Sequence, residues 1–337
     1  MNKFRYYFIL LITTLSLFSC SKDDSITVQP LRDYTEQFTA DNIVIEEYLT
    51  SHYMTVTNKP GETDDQDVEF TKIPANGMQP SIKSYLNKST YPKLLKRDVT
   101  YNGITYNMYY LVLRPGTGES PCNVDGVLAS YKGTYLQNTT VSDVTTLTAT
   151  SFEDVLYPQQ FLSLYNTIPG WGEIFPQFKT GDAPISNSDG TVTYNNFGAG
   201  VMFIPSGLAY YASGSNSIPS YVPLIFKFKL YAIQRLDQDG DGIPSYLEDL
   251  DGNGYMYGYF NTTAYPTTPA DNIRYADDTD KDGIPNFLDV DDDGDGISTR
   301  KEITATNGSI FPFGDIPSCN GNTTDPTRIK RHLVKCD

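Results

Sequence analysis

The sequence predicts an α+β chain, rich in strands and loops and poor in helix, followed by an acidic module of a different kind. Two observations carry this. The chain has 26 Tyr, 21 Pro and 26 Gly among 337 residues, a composition that favours sheets and turns over helical bundles. Its formal net charge of −16 is concentrated: between Asp237 and Glu302, 17 acidic residues meet 4 basic ones, so 13 of the 16 net negative charges lie there. A field of that sign makes nucleic acid and anionic lipid poor partners, and only the tail Arg328–Lys335 is basic. The expected segments are 1–19, 20–38, 39–99, 100–235, 236–303 and 304–337.

Lys3 and Arg5 precede an apolar run from Tyr6 to Phe18 that is too short for the roughly 20 residues of a membrane span. Leu17-Phe18-Ser19-Cys20 resembles a lipobox, which implies a signal peptide over 1–19 and a lipid anchor on Cys20. Ser21-Lys22-Asp23-Asp24 resembles the acidic signal of Bacteroidetes surface lipoproteins, so an outer-membrane location, periplasmic or surface-exposed, is expected. Residues 20–38 read as a polar tether. Asp41 is expected to cap a helix that carries Ile45, Tyr48, Leu49 and Tyr53 on one face and packs against the flank of the next domain. Residues 59–98 read as an irregular wrap.

Between Asp125 and Ile233, Tyr131, Phe152, Phe161, Ile168, Trp171, Tyr210, Ile218 and Phe226 are set among glycines and prolines. The blocks LVLRPGTGESP, DGVLASYKG, SFEDVLYPQQFLSL, IPGWGEIFPQFKTGD and NNFGAGVMFIPSGLAYYASGSNSIPSYVPLIFKFKLYAI follow one another over about residues 104–235. In that order they resemble an FKBP-type peptidyl-prolyl cis-trans isomerase. The resemblance implies a curved antiparallel sheet packed on a short helix, expected over Trp171 to Phe178. It implies that Trp171 floors a proline pocket, that the Tyr210 hydroxyl and the Ile168 backbone N–H meet substrate carbonyls, and that Tyr131, Phe152, Phe161, Ile218 and Phe226 wall it. Tyr131, Phe226 and Phe228, on alternating strand positions, read also as plain core.

Glu153 follows Phe152 where the family has Asp, and Tyr211 stands where it commonly has Gly, at the mouth. Counting without a gap from Tyr131 lands on Val141-Ser142; placing the motif at Phe152 keeps Pro158 and Phe161 in step and leaves an insertion over Gln137–Ser151. The implied partners are proline-containing segments of exported proteins, with two alternatives: a catalytically weak chaperone or binding module, and a calcium-stabilised adhesion or spacer protein.

The acidic module repeats one spacing. Asp237, Asp239, Asp241, Gly242 and Glu248 match D-x-D-x-D-G-x5-E, in which side chains at loop positions 1, 3, 5 and 12 and the position-7 carbonyl, here Ile243, wrap a calcium ion. Asp278, Asp280, Asp282, Ile284 and Asp289 give a second loop, and Asp291, Asp293, Asp295, Ile297 and Glu302 a third. Asp249, Asp251 and Asn253 start a fourth with no acidic twelfth position. Pro244 and Pro285 follow the position-7 isoleucines and two loops abut, so the module resembles thrombospondin type-3 repeats rather than helix-loop-helix hands. Calcium is expected to order it as a spacer independent of the domain before it. Cys319 and Cys336 are expected to form a disulfide, with Cys122 a free, half-buried thiol. With two histidines and no Cys-x-x-Cys, zinc and Ser-His-Asp chemistry lack their parts.

Overall fold

Alternation of apolar residues along β4 (Ile104–Arg114) sends Tyr106, Met108, Tyr110 and Val112 to one face and Tyr109, Leu111 and Leu113 to the other. Both sets are buried, so the sheet is covered on both sides. The computed structural model describes residues 30–336, and residues 33–337 form one compact unit. The main sheet runs β3 (Lys93–Tyr101), β4, β10 (Gly198–Ile204), β11 (Leu224–Gln234), β5 (Gly126–Val141) and β6 (Val144–Val155), with the short β7 (Leu162–Ser163) also on β5; every pairing is antiparallel, and β8 (Ile185–Ser186) and β9 (Val192–Thr193) pair separately. On β10, Met202 and Ile204 face one layer while Val201 and Phe203 face the other.

The first layer is aromatic. Trp171, Phe175, Phe178, Phe226 and Phe228 pack between the sheet and helix α2 (Pro169–Ile174), which a 3-10 turn extends to Gln177. The short helix therefore begins two residues before the expected Trp171, because Pro169 at its first position presets helical φ. Helix α1 (Tyr34–Ser51) covers the opposite face with Ile45, Tyr48 and Leu49. Asp41 does not cap it. Asp33 does, accepting from the Thr35 and Glu36 amides at 2.9 and 3.1 Å, whereas Asp41 is buried mid-helix and its carboxylate holds Ser206 through the amide (2.7 Å) and hydroxyl (2.6 Å). The expected tether thus ends earlier, and Tyr53 lies in β1 (His52–Val56).

Residues 59–98 are more regular than an irregular wrap. β2 (Val68–Lys72) pairs with β1, and β3 begins at Lys93. Val68 is buried in the second layer with Phe70 packed against it, and charge adds to this: Asp67 and Glu69 reach Lys229 (2.6 Å) and Lys227 (3.3 Å) on β11, and buried Asp65 meets Arg114 at 2.9 Å. The insertion over 137–151 is the far half of the β5–β6 hairpin, closed at Val141↔Val144 by Ser142 and Asp143, both at positive φ (50° and 63°). That pair of angles suits a two-residue turn matched to the strand twist.

The acidic module is built from loops and single turns, the longest helices in it being the four-residue Asp271–Arg274 and Thr299–Glu302. Cys319 and Cys336 are disulfide-bonded, while Cys122 is 5 % exposed and so fully buried rather than half-buried. The module does not hang free: Cys122 and Val124 form one small core with Met256 and Phe287. Among the described residues no helix is long and apolar enough to cross a membrane. The expected signal peptide and the expected lipid anchor on Cys20 lie outside the described residues.

Candidate functional site

A cavity of about 460 Å³ opens between β5, β6, β11 and the start of α2, lined by Tyr131, Glu153, Leu162, Asn166, Thr167, Ile168, Pro169, Trp171, Ala209, Tyr210 and Phe226. Trp171, the chain's single tryptophan, is 4 % exposed. Tyr131 and Phe226 meet its ring edge-on at 4.9 and 5.1 Å, and Phe175 backs it at 5.2 Å. Such edge-to-face contacts add about 0.5–1.5 kcal/mol beyond area burial and hold a rigid floor.

Two donors stand free at the rim. Neither the Ile168 N–H nor the Tyr210 hydroxyl has a hydrogen-bond partner among the described residues. Ile168 caps α2 in an extended conformation, which frees its amide because the first helical donors have no intrahelical acceptor. Burial, and then the nearby Glu153 carboxylate, hold the Tyr210 phenol above its ordinary value, so it stays a donor. The same two causes push Tyr131 up to about 12.

Glu153 reaches the cavity because of a β-bulge. Gly133 pairs with Glu153 and Thr134 with Ser151, leaving Phe152 as the extra residue. A side chain at Gly133 would begin 2.4 Å from the Phe152 ring, so only glycine leaves that ring its seat, 5.6 Å from Phe226. Phe152 accordingly supports the wall from behind instead of lining it.

The remaining expected wall residues lie elsewhere. Phe161 is 39 % exposed and off the cavity; Leu162 takes its place, because pairing of Leu162 with Val127 turns the next residue back along the strand to the other side. Ile218 is 7 % exposed in the core, its amide bonded to the Ser215 carbonyl in a tight turn. Tyr211 does not crowd the mouth. Its positive φ of 44° swings the ring onto Tyr34, stacked at 4.4 Å, and edge-on to Tyr221 at 5.0 Å.

One set of residues behind the cavity escaped the sequence reading. Glu173, two positions after Trp171 and 6 % exposed, accepts from Arg97 Nε at 2.8 Å and from the Tyr257 hydroxyl at 3.0 and 3.2 Å. Tyr255 donates to the Glu173 carbonyl at 3.0 Å and accepts from Gln177 at 2.7 Å, under the Arg97 guanidinium at 3.7 Å. Burial raises the Glu173 carboxyl and Arg97 opposes this. The acidic module thereby grips the helix that carries the floor. The available signal was Tyr255, Tyr257 and Tyr259 at every second position inside an acidic segment.

All four acidic loops share one backbone pattern. The first aspartate accepts the amide of the glycine at position 6 (Asp237 to Gly242, 3.0 Å; Asp249 to Gly254, 2.7 Å; Asp278 to Gly283, 2.9 Å; Asp291 to Gly296, 2.9 Å). Carboxylate oxygens gather within 4.8 Å of one another in Asp237/Asp239/Asp241, Asp278/Asp280/Asp282 and Asp291/Asp293/Asp295. The carbonyls of Ile243, Ile284 and Ile297 accept no hydrogen bond among the described residues. The Asp289 carboxyl is raised by burial and then by Asp282 and Asp280; Glu302 is raised to about 8 by burial and then by Asp293 and Asp295. Of the twelfth positions, Glu248 gathers with Asp241, while Asp289 and Glu302 feel the charges of their own loops. In the fourth loop Asp277 joins Asp249 and Asp251, a carboxylate the linear pattern cannot assign. Oxygen-only donor sets of this kind suit a hard cation such as Ca²⁺.

A family model described as BamM C-terminal matches residues 238–326. No curated protein matches. Among solved structures, a peptidyl-prolyl cis-trans isomerase from Pseudomonas syringae is similar at 23% identity over 44% of this chain and 84% of that one, with a TM-score of 0.28. FkpA from Escherichia coli gives 27% identity over 38% of this chain and a TM-score of 0.28, the match spanning 48% of that chain. The N-terminal domain of FKBP42 from Arabidopsis thaliana gives 14% identity over 38% and 86%, with a TM-score of 0.27.

Proposed function

We propose that this chain is an FKBP-type peptidyl-prolyl cis-trans isomerase that acts on proline-containing segments of exported proteins, anchored to the envelope through a lipid on Cys20. The observation that supports it is the aromatic floor of Trp171, Tyr131 and Phe226 with the free Tyr210 hydroxyl and Ile168 amide at its rim. An X-Pro bond rotates over roughly 18–20 kcal/mol because the twisted imide loses resonance and its carbonyl loses polarity. An apolar floor favours that less polar geometry over the solvated planar one, and donors at the rim hold the flanking carbonyls while the bond turns. Glu153 lies beside Tyr131 and Tyr210, and its negative charge helps keep both phenols protonated. The acidic loops are read as calcium sites that stiffen the module holding α2 from behind, and the match of 238–326 to the BamM C-terminal family agrees with an envelope location.

A binding module without turnover is the second reading, favoured by Glu153, whose side chain is one methylene longer than the family's Asp. The test uses Trp171 as its own reporter. A Leu-Pro peptide should shift its fluorescence, and the chain should speed cis/trans exchange of that peptide; a fluorescence shift without acceleration selects the second reading, and neither effect overturns both.

A further inference from the structure

We propose that Asp292, which no loop motif assigns, is a ligand of the first loop's cation, so that one bound calcium ion staples the first acidic loop to the third. This rests on the calcium reading of the loops. Asp292 occupies the second position of the third loop, where the motif asks for no side chain. In the fold it leaves its own loop: one oxygen each from Asp241, Glu248 and Asp292 lie within 4.8 Å of one another.

Two ligands of one Ca²⁺, each at about 2.3–2.6 Å, are no more than about 5.2 Å apart, so the trio fits a single ion. The three residues are 2 %, 2 % and 1 % exposed, and both oxygens of Glu248, both of Asp292 and one of Asp241 lack any hydrogen-bond partner. Burying three carboxylates together is unfavourable unless a cation offsets their charge. Arg300, on the neighbouring turn, donates a guanidinium N–H to the Gly240 carbonyl at 3.2 Å and has no hydrogen bond to any of the three carboxylates among the described residues. Asp292 is held in place by its amide, which donates to the buried Thr299 hydroxyl at 3.1 Å. The ion in the first loop would then be shared with a segment beyond the whole tyrosine-rich stretch, closing the module on itself.

The experiment is calcium titration by calorimetry, with thermal unfolding, on the full chain in detergent. Asp292→Asn is expected to weaken the same class of sites as Asp237→Asn, by about ten- to a hundredfold, with the double variant little worse than either. Asp271→Asn, at an exposed residue outside every cluster, measures the effect of losing one surface charge. Asp292→Asn should melt no lower than the parent in chelator, since it removes an unpaired buried charge, and should lose part of the gain that calcium brings. An isotherm for Asp292→Asn that overlays Asp271→Asn overturns the proposal, as does equal destabilisation with and without calcium. Asp280→Asn separates the two claims: if it weakens binding while Asp292→Asn does not, the loops bind calcium and the staple is wrong. A parent that binds no calcium sinks both.

Discussion

Replacing Arg97 with Met should loosen the floor of the cavity without touching it. Arg97 supplies the positive partner of Glu173, whose side chain is 8 % exposed, at 2.8 Å. Removing one member of a buried pair costs about 3–5 kcal/mol, because the other charge is left uncompensated. Arg97 keeps 22 % of its side chain in solvent and the Tyr257 hydroxyl stays on the carboxylate, so the loss expected here is about 2–3 kcal/mol. The double variant Arg97→Met, Glu173→Gln should recover about 1–2 kcal/mol of that, a coupling readable in a double-mutant cycle. Urea unfolding in calcium buffer, followed by Trp171 fluorescence, measures both. The sign with pH is fixed: burial holds Glu173 above the ordinary carboxylate value, so the stability tied to its protonation is whole below pH about 4.5 and fades as pH rises. The deficit of Arg97→Met should therefore be small near pH 4 and full at pH 7. A variant within about 0.5 kcal/mol of the parent, or strictly additive losses, would refute the clamp.

Other outcomes follow from the same geometry. Tyr210→Phe should slow catalysed exchange about two- to tenfold, the worth of one net hydrogen bond of about 0.5–1.5 kcal/mol; complete loss would mean that the hydroxyl does more than bind a carbonyl. Cys122, pushed up to about 12 by burial and donating to the Gly254 carbonyl at 3.2 Å, should resist iodoacetamide in calcium and react once chelator frees the 249–254 loop. Equal labelling in both would contradict the docking of that loop. Asp241, Asp277 and Glu302 are raised to about 6, 7 and 8, by burial first and neighbouring carboxylates second. Their stabilisation is present below the unfolded value near pH 4 and lost as pH climbs through the folded values, so in chelator the melting temperature should fall between pH 5 and 8. Calcium should flatten that slope; a parallel slope in calcium would contradict cation binding at these groups.

What the residues disclosed and what they concealed divide along local and long-range physics. Trp171 after Pro169-Gly170, the Asp-x-Asp-x-Asp-Gly spacing and the Cys319–Cys336 pair are written within a few residues, and each is placed where its local chemistry puts it. Asp41 misled because its capping preference is a statement about free amides, and the fold offered it the Ser206 amide instead. Phe161 misled because a two-residue strand, β7, decides which of Phe161 and Leu162 faces inward, and so short an element has no readable period. Asp277, Asp292 and the Glu173 clamp depend on contacts between distant segments, and no spacing within one segment encodes them.

The most direct measurement is two-dimensional NMR exchange on a Phe-Pro peptide with the purified chain in calcium, parent against Trp171→Ala. Cross-peaks linking the cis and trans resonances are expected with the parent at catalytic ratios and are expected to vanish with Trp171→Ala, while far-ultraviolet circular dichroism stays unchanged. No cross-peaks above the uncatalysed background with the parent, or undiminished exchange in the folded variant, would contradict the isomerase reading of this cavity.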